Sequence, residues 1–391
     1  LSAVIRWLHV IAGIAWIGSS FYFIHLDLSL KATPTRPEGT QGEAWQVHGG
    51  GFYNMVKYLV APSRLPKELT WFKWEAYTTW LSGFALLCVV YYFNADLFLI
   101  DRSVLDIAPS TAVAISLATL LAGWLVYEAM CRSKLGEYEN LLAGVGFVFL
   151  VALCYGATHL FSGRGAFIQM GALIGTMMVA NVFVIIIPNQ KKTVAALLAG
   201  QSPDPRYGKQ AKQRSVHNNY LTLPVVFLMI SNHYPLMFAT RYNWVIFALV
   251  LVIGILIRHF YNLRHADLPN PWWVWAAAGL AMVAIFYLSW AGARISLDAS
   301  AAAPAVTLDQ VAEVVSTRCS MCHAAEPVWA GFAHPPKNVM LDTPEKILRH
   351  RKEIAVNAVL SNAMPPGNVT EITEEERRVI GAGLAHLAVS K

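Results

Sequence analysis

Five residues near the C-terminal end, Cys319-Ser320-Met321-Cys322-His323, spell C-x-x-C-H, the attachment pattern of a c-type haem. In that pattern two thioethers anchor the porphyrin edge, and the adjacent His323 reaches the iron as proximal ligand. Met364, in the run Asn362-Ala363-Met364-Pro365-Pro366-Gly367-Asn368, is the preferred second axial ligand because the prolines stiffen its loop. Met340 is the rival and lacks those prolines. A Met/His pair favours electron transfer over oxygen chemistry. C-x-x-C alone also suits a redox pair or half a zinc site. Against zinc, Cys88, Cys131 and Cys154 lie far upstream in apolar runs, and no second C-x-x-C completes a tetrahedral set.

A second group of chemistry-bearing residues lies where the surroundings are apolar. His9 and His25 are 16 residues apart, as are His217 and His233, which along a helix is about 24 Å. His9, His159 and His233 are expected at one level of a membrane and His25, His217 and His259 at the other. Each level could hold a b-type haem between facing helices, so one or two haem b, with His9, His233, His25 and His159 as iron ligands, is the expectation. At 100° per residue, however, two histidines of one helix point to nearly opposite sides. Interfacial histidines bonded to neighbouring helices therefore stay open as the alternative.

A third group combines His48-Gly49-Gly50-Gly51-Phe52-Tyr53-Asn54 and Lys57 with His217-Asn218-Asn219-Tyr220. Glycines allow close approach to a ligand, Lys57 could meet an anion, and the amides suit the edge of a heterocycle. A Gly-rich turn beside an ordinary polar helix start is the other reading.

The elements that must position these groups are membrane helices. The chain of 391 residues is 56% hydrophobic and only 14% charged, against about 25% charged in soluble domains. Runs of roughly 20 apolar residues, enough to cross about 30 Å of hydrocarbon, lie near 2–26, 76–95, 109–131, 141–161, 165–188, 216–234, 242–261 and 271–291. The first is too long for the h-region of a signal peptide. Lys and Arg number sixteen in the odd-to-even connections, among them Lys57, Arg64 and Lys67, and five on the opposite side, Arg294 included. The positive-inside rule then puts both termini outside the cytoplasm, where C-x-x-C-H is loaded with haem. The net charge of +6 is read as this topology signal, with no nucleic-acid partner. The expected architecture is all-α: an eight-span transmembrane bundle over 1–291, a linker over 292–307 rich in small residues, and a small periplasmic cytochrome c domain over 308–391. Within that domain helices are expected near 307–317, 347–360 and 372–387, the last opened by a capping box at Thr373-Glu374-Glu375-Glu376.

Several stretches resemble the bacterial membrane-bound urate oxidases, also called urate hydroxylases, over essentially the whole chain. They are Arg6 to Gly18, His48 to Tyr53, Trp71 to Tyr77, His217 to Pro224 with Ile230 to Pro235, and Cys319 to His323. The L-H-x-x-x-G-x-x-W-x-G element around His9 is similar to small membrane proteins thought to hold haem b through that histidine. The resemblance implies oxidation of urate to 5-hydroxyisourate at an inner-membrane enzyme. Electrons would pass to the fused cytochrome and on to a soluble cytochrome c or terminal oxidase rather than to hydrogen peroxide. For that substrate, Lys57, Asn218, Asn219, Tyr220 and Tyr53 offer cation, amides and aromatic faces, and His48 or His217 a proton acceptor. A quinol-oxidising electron-transfer subunit and a transporter with a redox-sensing cytochrome domain are the competing expectations.

Overall fold

A computed structural model describes every residue but 35, 59–64, 67, 294, 296–305, 390 and 391, and the side chains of 386–389 are also outside it. About 70% of the chain is helical. Long helices run over Ser2–Ser29 (α1), Trp74–Leu86 (α2), Pro109–Arg132 (α3) and Glu139–Thr158 (α4). They continue with Gly163–Leu198 (α5), Pro205–Ile230 (α6), Asn243–His265 (α7) and Trp273–Ala291 (α8). Six of these, α1, α3, α4, α5, α7 and α8, are long and apolar enough to cross a membrane. The other two fall short for visible reasons. α2 opens on the polar run Trp74-Glu75-Ala76-Tyr77-Thr78-Thr79, and the first half of α6 is polar.

α5 is the centre of the bundle. Most of its apolar stretch is enclosed by protein, whereas α1 lies at the edge. Phe167, Met170, Leu173 and Ile174 of α5 pack with Leu228 of α6 and Ile246, Phe247 and Leu251 of α7 in one buried core. In a bilayer, helix pairing depends on close packing rather than on expelling water. Glycines supply that closeness: a Cβ on Gly254 of α7 would lie 2.5 Å from the ring of Pro224 in α6.

The all-α expectation misses one element. Between α1 and α2, Thr40–His48 (β1) and Gly51–Tyr58 (β2) form an antiparallel hairpin in which His48 pairs with Gly51. Gly49 and Gly50 both have positive φ, 57° and 79°, as a two-residue type I′ turn requires. The glycine triplet is thus spent on chain reversal, and aromatic and β-branched residues on either side read as strands.

The C-terminal unit has its own core of Val311, Val315, Leu341, Ile347, Ile354, Val359, Ile372, Ile380 and Leu384. Leu308–Arg318 (α9) and Glu374–Val389 (α10) match two of the three expected helices. The third is broken into turns over 344–349, 351–354 and 355–359. The expected linker is also narrower than 292–307, because Ile295 and Val306 pack with the C-terminal core. Residues 296–305, like Arg64, Lys67 and Arg294 of the charge count, lie outside the described residues.

At the start of α10 the capping box forms as the sequence predicts: Glu376 N–H donates to Thr373 Oγ1 at 3.1 Å, and Thr373 N–H donates to Glu376 Oε2 at 2.7 Å. Arg318 of α9 adds an ion pair to Glu376 at 2.9 Å. Partial desolvation alone would raise the Glu376 pKa, but the Thr373 amide and Arg318 outweigh it and hold the carboxyl below its ordinary 4.5. A depressed folded-state pKa contributes stability that is complete above the ordinary value and lost as pH falls through the folded one. Acid titration monitored by near-UV circular dichroism should therefore loosen this unit below about pH 4–5, and Glu376→Gln should flatten that dependence while lowering stability at neutral pH.

Candidate functional site

The midsection of α6 carries the densest polar cluster in the bundle. His217 Nδ1 lies 2.8 Å from the Tyr127 hydroxyl of α3. Asn181 of α5 donates to that hydroxyl at 3.0 Å and to Asn218 Oδ1 at 2.9 Å, and Asn218 donates in turn to the Met178 carbonyl at 3.0 Å. Asn181 opens a π-helical stretch, Asn181–Ile186. Such bulges often occur at functional positions, where they re-aim a side chain.

One turn before His217, Arg214 is only 3% exposed and donates through Nη2 to Glu128 at 2.8 Å. Glu128 also pairs with Arg132, and the Arg214 guanidinium lies over the Tyr127 ring at 5.1 Å. On the adjoining side of α6, Asn219 Oδ1 accepts from Arg258 at 3.3 Å and from Asn262 at 3.0 Å, both on α7. Tyr220 meets His259 at 3.4 Å, and Arg258 stacks on Phe21 of α1 at 3.8 Å.

Four atoms in this region are buried without a hydrogen-bond partner: Arg214 Nε and Nη1, Asn219 Nδ2 and Asn181 Oδ1. An unmade bond on a buried polar atom costs about 1–3 kcal/mol, so each calls for an explanation. Three are donor atoms and one is an acceptor.

Of the seven residues expected to serve the substrate, His217 and Asn218 meet directly in this cluster, Asn219 and Tyr220 turn toward α7, and Tyr53 is exposed on β2. His48 is exposed at the hairpin tip, and Lys57 on β2 pairs with Asp27 of α1. Tyr127, Glu128, Asn181 and Arg214 were not picked out. Glu128 carried a readable signal, being an acid inside an apolar run.

The membrane histidines scatter. His9 Nδ1 lies 2.9 Å from the Thr79 carbonyl on α2, with its ring over Gly83. His159 Nδ1 turns back to the Tyr155 carbonyl of its own helix at 2.8 Å, and His233 is exposed. The His25 ring touches that of His265, 4.3 Å between centroids.

In the C-terminal unit, Cys319 and Cys322 are free thiols. Burial pushes the Cys319 thiol up to about 11 and raises that of Cys322, opposite to the lowering seen in reactive C-x-x-C pairs. Among the described residues no three His, Cys, Asp or Glu side chains gather as a metal site. His323 Nδ1 lies 2.9 Å from the Val339 carbonyl, so a proton on Nδ1 would leave Nε2 as the ligating nitrogen. Met364 packs on the core that also receives Cys319, whereas Met340 lies beside the Lys346 ammonium at 3.9 Å. These residues fit haem c.

Residues 1–289 match the family model described as urate oxidase N-terminal. No curated protein and no solved structure matches the chain.

Proposed function

We propose, from the premise that this chain belongs to the urate oxidase N-terminal family, that it oxidises urate to 5-hydroxyisourate within a bacterial inner membrane and passes the electrons to a fused cytochrome c. In this reading all eight long helices span, both termini face the periplasm, and a soluble cytochrome c or terminal oxidase takes the electrons onward. The observation that carries it is the set of unsatisfied donors and one acceptor around Arg214, Asn219 and Asn181, buried beside His217.

Urate monoanion and one water give 5-hydroxyisourate, one proton and two electrons. The chain's residues must bind the anion, hold the water and take its proton. Arg214 donates to a carbonyl oxygen and Asn181 accepts a ring N–H on the Tyr127 side of α6, and Asn219 offers a further donor on the α7 side. With its proton on Nδ1 and donated to the Tyr127 oxygen, His217 leaves Nε2 to accept the proton of the attacking water. Glu128 fixes the Arg214 guanidinium, and the apolar helices around the cluster limit bulk water.

Haem c, held by Cys319, Cys322, His323 and Met364, supplies a one-electron acceptor. Because His217 lies at the middle of α6 and the C-terminal unit joins the bundle beyond the end of that helix, at Ala239, we extend the proposal to a haem b carrier in the membrane. Of His9, His25, His159 and His233, His9 and His159 have Nδ1 facing a backbone carbonyl, at 2.9 and 2.8 Å, and His9 is the better prepared because it is held between helices against Thr79 and Gly83 whereas His159 is exposed. Anaerobic urate added to the oxidised, detergent-solubilised protein should reduce haem c, and a pyridine haemochrome spectrum should show haem b as well as haem c. A cytochrome that stays oxidised with urate yet is reduced by a quinol would replace this reading with that of a quinol-oxidising subunit.

A further inference from the structure

The loop that carries Met364, the methionine that would hold the haem with His323, is also the joint between the two units. Ala363 packs into the core of the helix bundle, and the next residue, Met364, packs against the core of the C-terminal unit. Asn362 N–H donates to the Ala239 carbonyl at 3.4 Å, and its side chain donates to Asp101 Oδ2 at 3.3 Å. Arg102 N–H donates to the Gly367 carbonyl at 3.3 Å. Gly367 has φ 59° and lies so close to the bundle that a Cβ would be 2.2 Å from the Asp96 carbonyl oxygen and 2.8 Å from that of Ile100. Only glycine suits both the conformation and the approach. On the far side of the loop, Met364 is tied to its own unit: its N–H donates to the Asn357 carbonyl at 2.8 Å, and its carbonyl accepts from Arg377 at 2.9 Å.

The chain path shortens the tether as well. Gly292, at the end of α8, accepts from Arg241 N–H at 3.0 Å, and Ile295, three residues on, is already part of the C-terminal core. That leaves little chain for a swing at this end.

We infer that the Asn362–Gly367 loop is an electron-entry seat: it fixes the C-terminal unit on the bundle with its Met364 side inward, and electrons enter there while the unit stays docked. The seat stands on geometry alone; its use for electron entry rests on the proposed function. A docked unit keeps the donor path short at every turnover.

The test uses the full-length holoprotein lacking Cys88, Cys131 and Cys154, with Arg102→Cys, exposed beside the loop, and Asn368→Cys joined by a short thiol-reactive bismaleimide. Near-complete cross-linking in the resting protein, and urate-driven reduction of haem c within about twofold of the unlinked rate, are expected. Little cross-linking, or a linked protein reduced by ascorbate but no longer by urate, would overturn the inference. Gly367→Val wedges the joint from one side and Ala239→Trp from the other, the latter leaving the C-terminal unit native. Each should slow urate-driven reduction at least tenfold while ascorbate reduction and the visible band of methionine-ligated ferric haem persist; an unchanged rate in both would count against the seat. If urate fails to reduce even the unmodified protein, the functional reading fails, but cross-linking yield needs no substrate and still decides the docking, with a quinol then used to test electron entry.

Discussion

Replacing His217 by glutamine is expected to slow urate-driven reduction of the fused cytochrome by about a hundredfold or more, the usual worth of a positioned general base, while ascorbate reduces the haem as before. Glutamine keeps a polar side chain of similar reach, so the hydrogen bond to Tyr127 can be remade and the network of Asn181 and Asn218 stays satisfied. What is lost is the nitrogen that takes the proton. The effect should fall on kcat rather than on KM, because the groups assigned to the purine edges are Arg214, Asn219 and Asn181. Tyr127→Phe removes the partner of His217 and one acceptor of Asn181 but leaves the imidazole in place, and should cost less. Stopped-flow absorbance at the haem band under anaerobic conditions checks both variants. A glutamine variant that keeps full speed would remove His217 from the chemistry.

Most of the bundle was legible because apolar run length is a strong signal in a membrane protein. All eight expected runs coincide with helices, and the ends differ by up to eleven residues, as at Pro205 against 216. The C-x-x-C-H pattern stands out in the sequence for a different reason: its three residues lie close together, and the methionine proposed to partner it, Met364, is marked by its prolines. What the sequence hid is tertiary. The triple glycine at 49–51 has one composition whether it cradles an anion or turns a hairpin, and only the pairing of His48 with Gly51 decides. His217 and Asn218 stood out on α6, but their partners Tyr127 and Asn181 come from two other helices, 90 and 37 residues away. Equal spacing of His9 with His25 and of His217 with His233 suggested two matching levels. Helix rotation breaks that symmetry, turning His9 toward Thr79 and His25 toward His265.

The largest stability effect should come from the ion pair that supports the site. Arg214→Met would leave Glu128, itself little exposed, with only the more solvent-facing Arg132 as partner. Breaking a buried pair from one side typically costs about 3–5 kcal/mol, because the remaining charge is stranded, whereas replacing both partners with well-packed neutral side chains is often close to neutral. Arg214→Met should therefore lower the melting temperature of the solubilised protein sharply, and adding Glu128→Gln should recover most of the loss. Urate binding should not recover with it, because the double variant still lacks Nε and Nη1, the two unsatisfied donor atoms of Arg214. Thermal unfolding and urate titration on the same pair of variants thus separate the two roles of one side chain. If the double variant regains both stability and urate affinity, Arg214 is a structural cation, and the purine must be held from the Asn219 and Arg258 side of α6.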